Sequence, residues 1–289
     1  MATSSLGIAS GASTFLALTD TPGSFTANRI SFTNSGGTAL TDSANFTYDG
    51  TNLNLGASQG IGWGSTRYLY ASTTNDSIAF GENAGATFNS GTTNSVAIGF
   101  EAGRYASTSS WSNNFIGYQV GSQSTGASNN FLGYQTGQFN TGSINNFFGV
   151  RAGEYNSGSN NNILGQDSGN YNTGTGNNII GDTTAGSNTG SYNNIFGQHT
   201  GFFNAGSYNN IFGDSTAINN TGSYAEFIGF ETGGRMSASS TVAIGARALR
   251  GGSGDVWSGN AATTTNNTVI GYGAGYNVLT GGNNNLLLG

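Results

Sequence analysis

A single histidine, His199, stands in this chain of 289 residues, and the residues around it could be assembled into a nucleophilic site. Thr183 and Ser215 lie sixteen positions to either side, with Asp182 and Asp214 close by. If positions sixteen apart stack, a Ser/His/Asp grouping can be drawn, with the hydroxyl as nucleophile and imidazole as base. A lone histidine in such a column reads more simply as a residue on a solvated face. Gly271, Gly273 and Gly275 are spaced like a phosphate-binding loop, but that chemistry needs a helix N-terminus behind the glycines and no helical pattern follows. The run Gly251–Asp255 touches the calcium-binding nonapeptide once, whereas that motif works as a tandem array. Carboxylates from neighbouring segments could pair for glycosidic chemistry, and the sequence leaves that open. With no cysteine there is no disulfide or thiolate site. We expect no catalytic residue, no cofactor and no metal.

What positions these residues is set by an unusual composition. Fifty residues are glycine, thirty-nine are asparagine, and lysine is absent. Only 7% are charged and the net charge is -6, which argues against nucleic-acid and anionic-membrane partners. No apolar run reaches the roughly 18 residues of a membrane helix. Met1–Ser13 carries neither the basic nor the apolar region of a signal peptide. Glycine and asparagine disfavour helix, yet 35% hydrophobic and 12% aromatic residues are too many for a disordered chain.

The glycines recur in register. An apolar pair followed by glycine appears at Gly81, Gly99, Gly117, Gly133, Gly149, Gly165, Gly181, Gly197, Gly213, Gly229, Gly245, Gly271 and Gly289. From Gly117 to Gly245 the interval is always 16; the flanking intervals are 18, with one of 26 before Gly271. Positions below are counted from this anchor glycine. A second small residue follows at +3 or +4, and Asn-x-Gly begins near +7, as in Asn140–Gly142 and Asn172–Gly174. Both elements read as corners, since Asn and Gly tolerate positive φ. Two short strands and two corners fit into 16 residues, which is one coil of a parallel β-solenoid. Thirteen coils at about 4.8 Å would rise roughly 60 Å.

Stacked coils make columns. At +2, Arg151 falls beside Asp167 and Glu231 beside Arg247, giving opposite charges on adjacent rungs. At −3, Asn114, Asn130, Asn146, Asn162, Asn178, Asn194 and Asn210 form an expected amide ladder. Phe139, Tyr155 and Tyr171 align at +6, and Tyr192, Tyr208 and Tyr224 at +11. The two residues before each anchor are both apolar: Phe131 and Leu132, Phe147 and Phe148, Ile163 and Leu164, Ile179 and Ile180, Ile195 and Phe196. Successive strand residues point to opposite faces, so one column fills the coil and the other faces out. A continuous outward apolar stripe calls for a partner along its length, and packing of like columns about a symmetry axis supplies one. The alternative is a wider coil holding both columns inside.

Two segments carry a resemblance. The run Asn94–Gly99 resembles the head repeat of the trimeric autotransporter adhesins (YadA-like), as does Thr241–Gly245, and the run Asn113–Gly121 also resembles repeats of phage tail fibres and related surface proteins. Phe15–Pro22 and Asp49–Gly56 are similar to segments near the start of such fibres. The likeness covers about residues 77–289 and implies a homotrimer of left-handed parallel β-rolls used in surface attachment. The period of 16 is longer than the adhesin repeat, and Asn replaces Val at −3.

The expected architecture is all-β: a β-rich capping or docking region at 1–60 and a parallel β-solenoid (left-handed β-roll or β-helix) at 61–289, with an insertion loop at 251–265 carrying Trp257. Its last repeat, Leu286–Gly289, would leave a strand edge open, so either the next chain's N-terminal region covers it in a head-to-tail filament, the favoured expectation, or a C-terminal domain has been removed. The expected function is a non-enzymatic extracellular fibre whose partner is itself, as a homotrimer. The alternative is a tail-fibre or adhesin head that binds a receptor or glycan.

Overall fold

The computed structural model describes residues 29–33, 40–51, 53–55, 60–63, 66–72, 76–88, 93–106, 111–251, 262–276 and 282–289. All described regular structure is β, and the chain divides into two compact units, Met1–Gly60 and Ile61–Gly289. In the first, β1 (Arg29–Thr33), β2 (Leu40–Tyr48) and β3 (Leu53–Leu55) form an antiparallel three-stranded sheet. A bulge lies between Arg29 and Ser31.

The second unit is a solenoid. Its sheet has 15 strands, and at one end are β4 (Gly60–Trp63) and β5 (Thr66–Ser72). Next come β6 (Ser77–Phe80), β7 (Val96–Ile98), β8 (Asn114–Tyr118), β9 (Asn130–Tyr134) and β10 (Asn146–Val150). They are followed by β11 (Asn162–Leu164), β12 (Asn178–Ile180), β13 (Asn194–Phe196), β14 (Asn210–Phe212) and β15 (Glu226–Ile228). From β6 onward each strand pairs in parallel with the next at equal offset, as Phe147 with Ile163 and Ile163 with Ile179. After β15 the chain leaves this face as β16 (Met236–Ser239), returns as β17 (Val242–Ile244), leaves again as β18 (Ala262–Thr265), and completes the stack with β19 (Thr268–Ile270) and β20 (Leu286–Leu288). Thirteen parallel rungs make about 12 turns.

Three expectations are corrected. The parallel shaft begins at Ser77 instead of residue 61, because β5 pairs antiparallel to β6, with Leu69 opposite Phe80, and β4 lies beyond it at the sheet edge. Residues 262–265 belong to no loop: β18 pairs in parallel with β16, Met236 opposite Ala262, as a small second sheet. The rest of the insertion, 252–261 with Trp257, lies outside the described residues, as do 1–28. Finally, most coils contain one regular strand instead of two. Left-handed residues at +2 (Arg151 φ 52, Asp167 φ 51) and +4 (Gly153 φ 58, Gly169 φ 60) break the extended geometry. Rung-to-rung pairing continues through them: Gly137 N donates to Ala152 O at 3.0 Å and Thr141 N to Asn156 O at 2.9 Å.

The interior follows the strand period of two. Phe115, Phe131, Phe147, Ile163, Ile179, Ile195, Ile211 and Phe227, all at −2, are buried in one continuous core. Neighbouring core rings pack on one another, Phe131 and Phe147 stacked with centroids 4.7 Å apart and Phe115 tilted against Phe131 at 5.7 Å. Glycine at +4 leaves room for them, since a Cβ at Gly153 would stand 2.4 Å from the Phe147 ring. Alternate inward positions are polar and satisfied. At −4, Asn145 takes the peptide N–H of Asn161 at 2.9 Å and donates to Gly158 O at 3.0 Å. At +3, Thr200 Oγ1 donates to Gly213 O of the next coil at 2.6 Å, and Thr136, Ser168, Thr184 and Thr216 bond the succeeding anchor carbonyls in the same way.

The Asn-x-Gly element differs most from its expected role. Asn140, Asn156, Asn172, Asn188, Asn204 and Asn220 are buried, and each later amide donates to the preceding rung, as Asn172 Nδ2 to Asn156 Oδ1 at 2.8 Å. Their glycines are not in the left-handed region; a Cβ at Gly174 would lie 1.8 Å from Gly190 O. Close approach of successive backbones demands them, whereas turning does not. Asn172→Ala is therefore expected to cost about 2–3 kcal/mol, since it deletes two donated bonds and leaves the Asn188 amide short of an acceptor inside the coil. Asn162→Ala, in the outer ladder, should cost under about 1 kcal/mol. Denaturant melts of both variants measure the difference.

Candidate functional site: the outer ladders of the shaft

The outward face of each strand carries three columns. At −3 the amides run as one chain: Asn114 Nδ2 donates to Asn130 Oδ1 at 2.6 Å, and Asn130, Asn146, Asn162, Asn178 and Asn194 each donate to the following rung at 2.8 Å, ending on Asn210. At −1 stand Phe80, Ile98, Ile116, Leu132, Phe148, Leu164, Ile180, Phe212, Ile228, Ile270 and Leu288, with 37–69% of each side chain's residue surface exposed, while Phe196 and Ile244 are intermediate. The wider coil with both apolar columns inside is thereby overturned: Leu164 is 47% exposed where Ile163 is 1%. At +1 an aromatic run, Phe100, Tyr118 and Tyr134, stacks at 5.1 and 5.0 Å and gives way to Gln166, Asp182, Gln198 and Asp214.

The corners add further ladders. Phe139, Tyr155 and Tyr171 stack at 4.7 and 4.6 Å, and Tyr192, Tyr208 and Tyr224 at 5.1 Å. At +2, Gln135 Nε2 donates to Gln119 Oε1 at 3.0 Å and Gln119 Nε2 to Glu101 Oε2 at 2.8 Å. Arg151 grips Asp167 through two bonds of 2.6 and 2.8 Å, and Arg247 Nε reaches Glu231 Oε2 at 2.9 Å. The Arg151 hydrogen bonds hold the Asp167 carboxyl below its usual range, while burial pushes Glu154, one corner away, upward. Asp167 thus adds stability above its ordinary pKa that disappears as pH falls through the depressed value. Arg151→Gln should lower the neutral-pH melt slightly, because solvent screens the largely exposed pair, leave the acid melt unchanged, and so flatten this acid-side loss. Thermal melts at pH 7 and pH 3 read both effects.

The residues considered for catalysis do not converge. Ser215 Oγ donates to Asp214 Oδ1 at 2.9 Å and Thr183 Oγ1 to Asp182 Oδ1 at 3.0 Å, so each hydroxyl is turned to its own neighbour instead of His199. His199 is joined to Asp182 only through its backbone, N to O at 3.2 Å. Gly271, Gly273 and Gly275 have φ of 130, 66 and 67 in a turn that no described helix follows. Among the described residues no group of acidic, histidine or cysteine side chains could hold a metal, and no helix is long and apolar enough to cross a membrane. Residues 252–255 of the calcium-like run lie outside the described residues.

Sequence reasoning did not foresee the buried amide ladder, the hydroxyl bonds to the anchor carbonyls, or a second guanidinium on Glu231, Arg250 Nη1 at 3.1 Å. The strict spacing of Asn140, Asn156 and Asn172 was the available signal for the first. No family model, curated protein or solved structure matches the chain.

Proposed function

We propose that the chain is a structural, non-enzymatic fibre subunit that works outside the cell as a homotrimer of β-solenoid shafts. The observation that carries this reading is the −1 column, an apolar ladder thirteen rungs long on the outer face of the sheet. Soluble monomers avoid contiguous apolar stripes of this extent. Full burial of an Ile, Leu or Phe side chain contributes about 1.5–3 kcal/mol, so covering the exposed two-fifths contributes about 1 kcal/mol per rung. Summed over the ladder that is about 10 kcal/mol per chain, comparable with the 4–15 kcal/mol that association costs. A partial patch would fall short of that cost; the full length meets it.

A second copy is the partner of matching period. Its ladder repeats at the same spacing of about 4.8 Å, so every rung meets an apolar rung, and a threefold axis buries all stripes equally. The mechanism is mechanical: backbone pairing and amide ladders resist extension along the axis, while apolar columns seal coil and assembly. Light scattering tests it. Three times the 29.4 kDa chain mass is expected, and a stable monomer at micromolar concentration overturns it.

A further inference from the structure

Three of the seven arginines, Arg235, Arg247 and Arg250, fall within sixteen residues and on adjacent rungs. Elsewhere in the shaft each described guanidinium has its own carboxylate, Arg151 with Asp167 and Arg104 with Glu101. Here a single oxygen, Glu231 Oε2, takes both Arg247 Nε at 2.9 Å and Arg250 Nη1 at 3.1 Å. Arg250 is well covered, its side chain 13% exposed, and its Nε is buried with no hydrogen-bond partner. Arg235 Nε and Nη1 are likewise buried and without a partner. The two side chains start from neighbouring backbone: Gly251, next to Arg250, donates its N–H to Gly234 O at 3.0 Å, and a Cβ on it would meet Arg235 O at 2.9 Å. In a chain of net charge -6 this corner holds two positive charges in excess of its carboxylate.

Buried N–H groups on a cation call for an anionic acceptor. One N–H on each Nε and two on Nη1 of Arg235 point to an oxyanion with several lone pairs. Aromatic surface lies beside them. Arg250 is 5.7 Å from the Tyr276 ring centre and its Nη1 reaches the Tyr276 hydroxyl at 3.4 Å. Tyr272, 74% exposed, stands at +1 of the next rung, one coil on from the rung that carries Arg247 and Arg250. Guanidinium groups for a carboxylate next to an open ring face for a pyranose make a combination that suits a sugar acid.

We infer that Arg235 and Arg250, with Tyr272 and Tyr276, form a binding site for the carboxylate of an acidic saccharide. The site is independent of how many copies assemble, so it stands or falls apart from the fibre reading. Calorimetric titration of the full chain with an oligosaccharide of glucuronic acid tests it, with the carboxyl-reduced oligosaccharide as the uncharged control. Saturable binding is expected for the acid alone, weakened at least tenfold in Arg235→Gln and in Arg250→Gln and unchanged in Asp255→Asn. Unchanged thermal melts confirm that the variants fold. No binding, equal binding of the reduced oligosaccharide, or binding that appears only in Asp255→Asn would overturn it, the last because the chain's own carboxylate would then occupy the arginines.

Discussion

Leu164→Asp is expected to leave single folded shafts where the parent assembles. Leu164 sits near the middle of the apolar ladder, 47% exposed on the outer face, while Ile163 fills the core from the opposite side of the strand. The substitution therefore costs the isolated coil little. In a threefold assembly it would bring three carboxylates together in a dry seam, and burying unpaired charge costs several kcal/mol per ion. That outweighs the gain of about 1 kcal/mol from each neighbouring rung. The expected result is a light-scattering mass of one chain with an unchanged β spectrum. Ile163→Asp is the contrasting variant, because the charge would enter the core and the spectrum itself should collapse. If Leu164→Asp keeps the parent's mass, the ladder is no assembly surface.

The second large effect concerns a residue whose dihedral angles are ordinary. Gly174→Ala should unfold or split the shaft, at a cost on the order of 4 kcal/mol or more. Its Cβ would lie 1.8 Å from Gly190 O and 2.7 Å from Asn177 Nδ2, which already donates to that same carbonyl at 3.0 Å. No side-chain rotation relieves the main clash, since Gly190 O belongs to the backbone of the next rung. Gly273→Ala provides the scale. Gly273 has φ +66 and nothing within 4 Å of its Cβ, so only the left-handed penalty of about 1–2 kcal/mol applies. Urea melts of the two variants separate close approach from backbone strain, and similar midpoints would contradict the rung spacing at Gly174.

Much of the architecture was readable because it depends on two periods that the sequence displays directly. The interval of 16 stacks Arg151 on Asp167 and Asn130 on Asn146, and the strand period of two separates Ile163 from Leu164. What escaped were cases where one residue type serves two physical roles. Asparagine turns a chain as readily as it bridges two rungs, so Asn140, Asn156 and Asn172 suggested corners until their burial was evident. Glycine in Asn-x-Gly suggested positive φ for the same reason, although contact with the next carbonyl demands it. The arginine corner escaped for a different reason. Arg250 is at +5 and Glu231 at +2, so comparing equal offsets never pairs them; the long side chain crosses columns. The insertion's last residues, Ala262–Thr265, looked like loop because their partner Met236–Ser239 lies off the main sheet.

The two asparagine ladders point opposite ways. Outside, each amide gives its hydrogen forward, Asn146 to Asn162; inside, it gives it back, Asn172 to Asn156. Each chain of bonded amides carries a dipole that grows with every rung, and a shaft built on one of them alone would accumulate charge-like poles at its tips. With the pair opposed, the moments largely cancel coil by coil. These two ladders therefore add little net dipole as the shaft lengthens, so coils can be added or deleted in whole multiples of 16 residues without a mounting penalty from either.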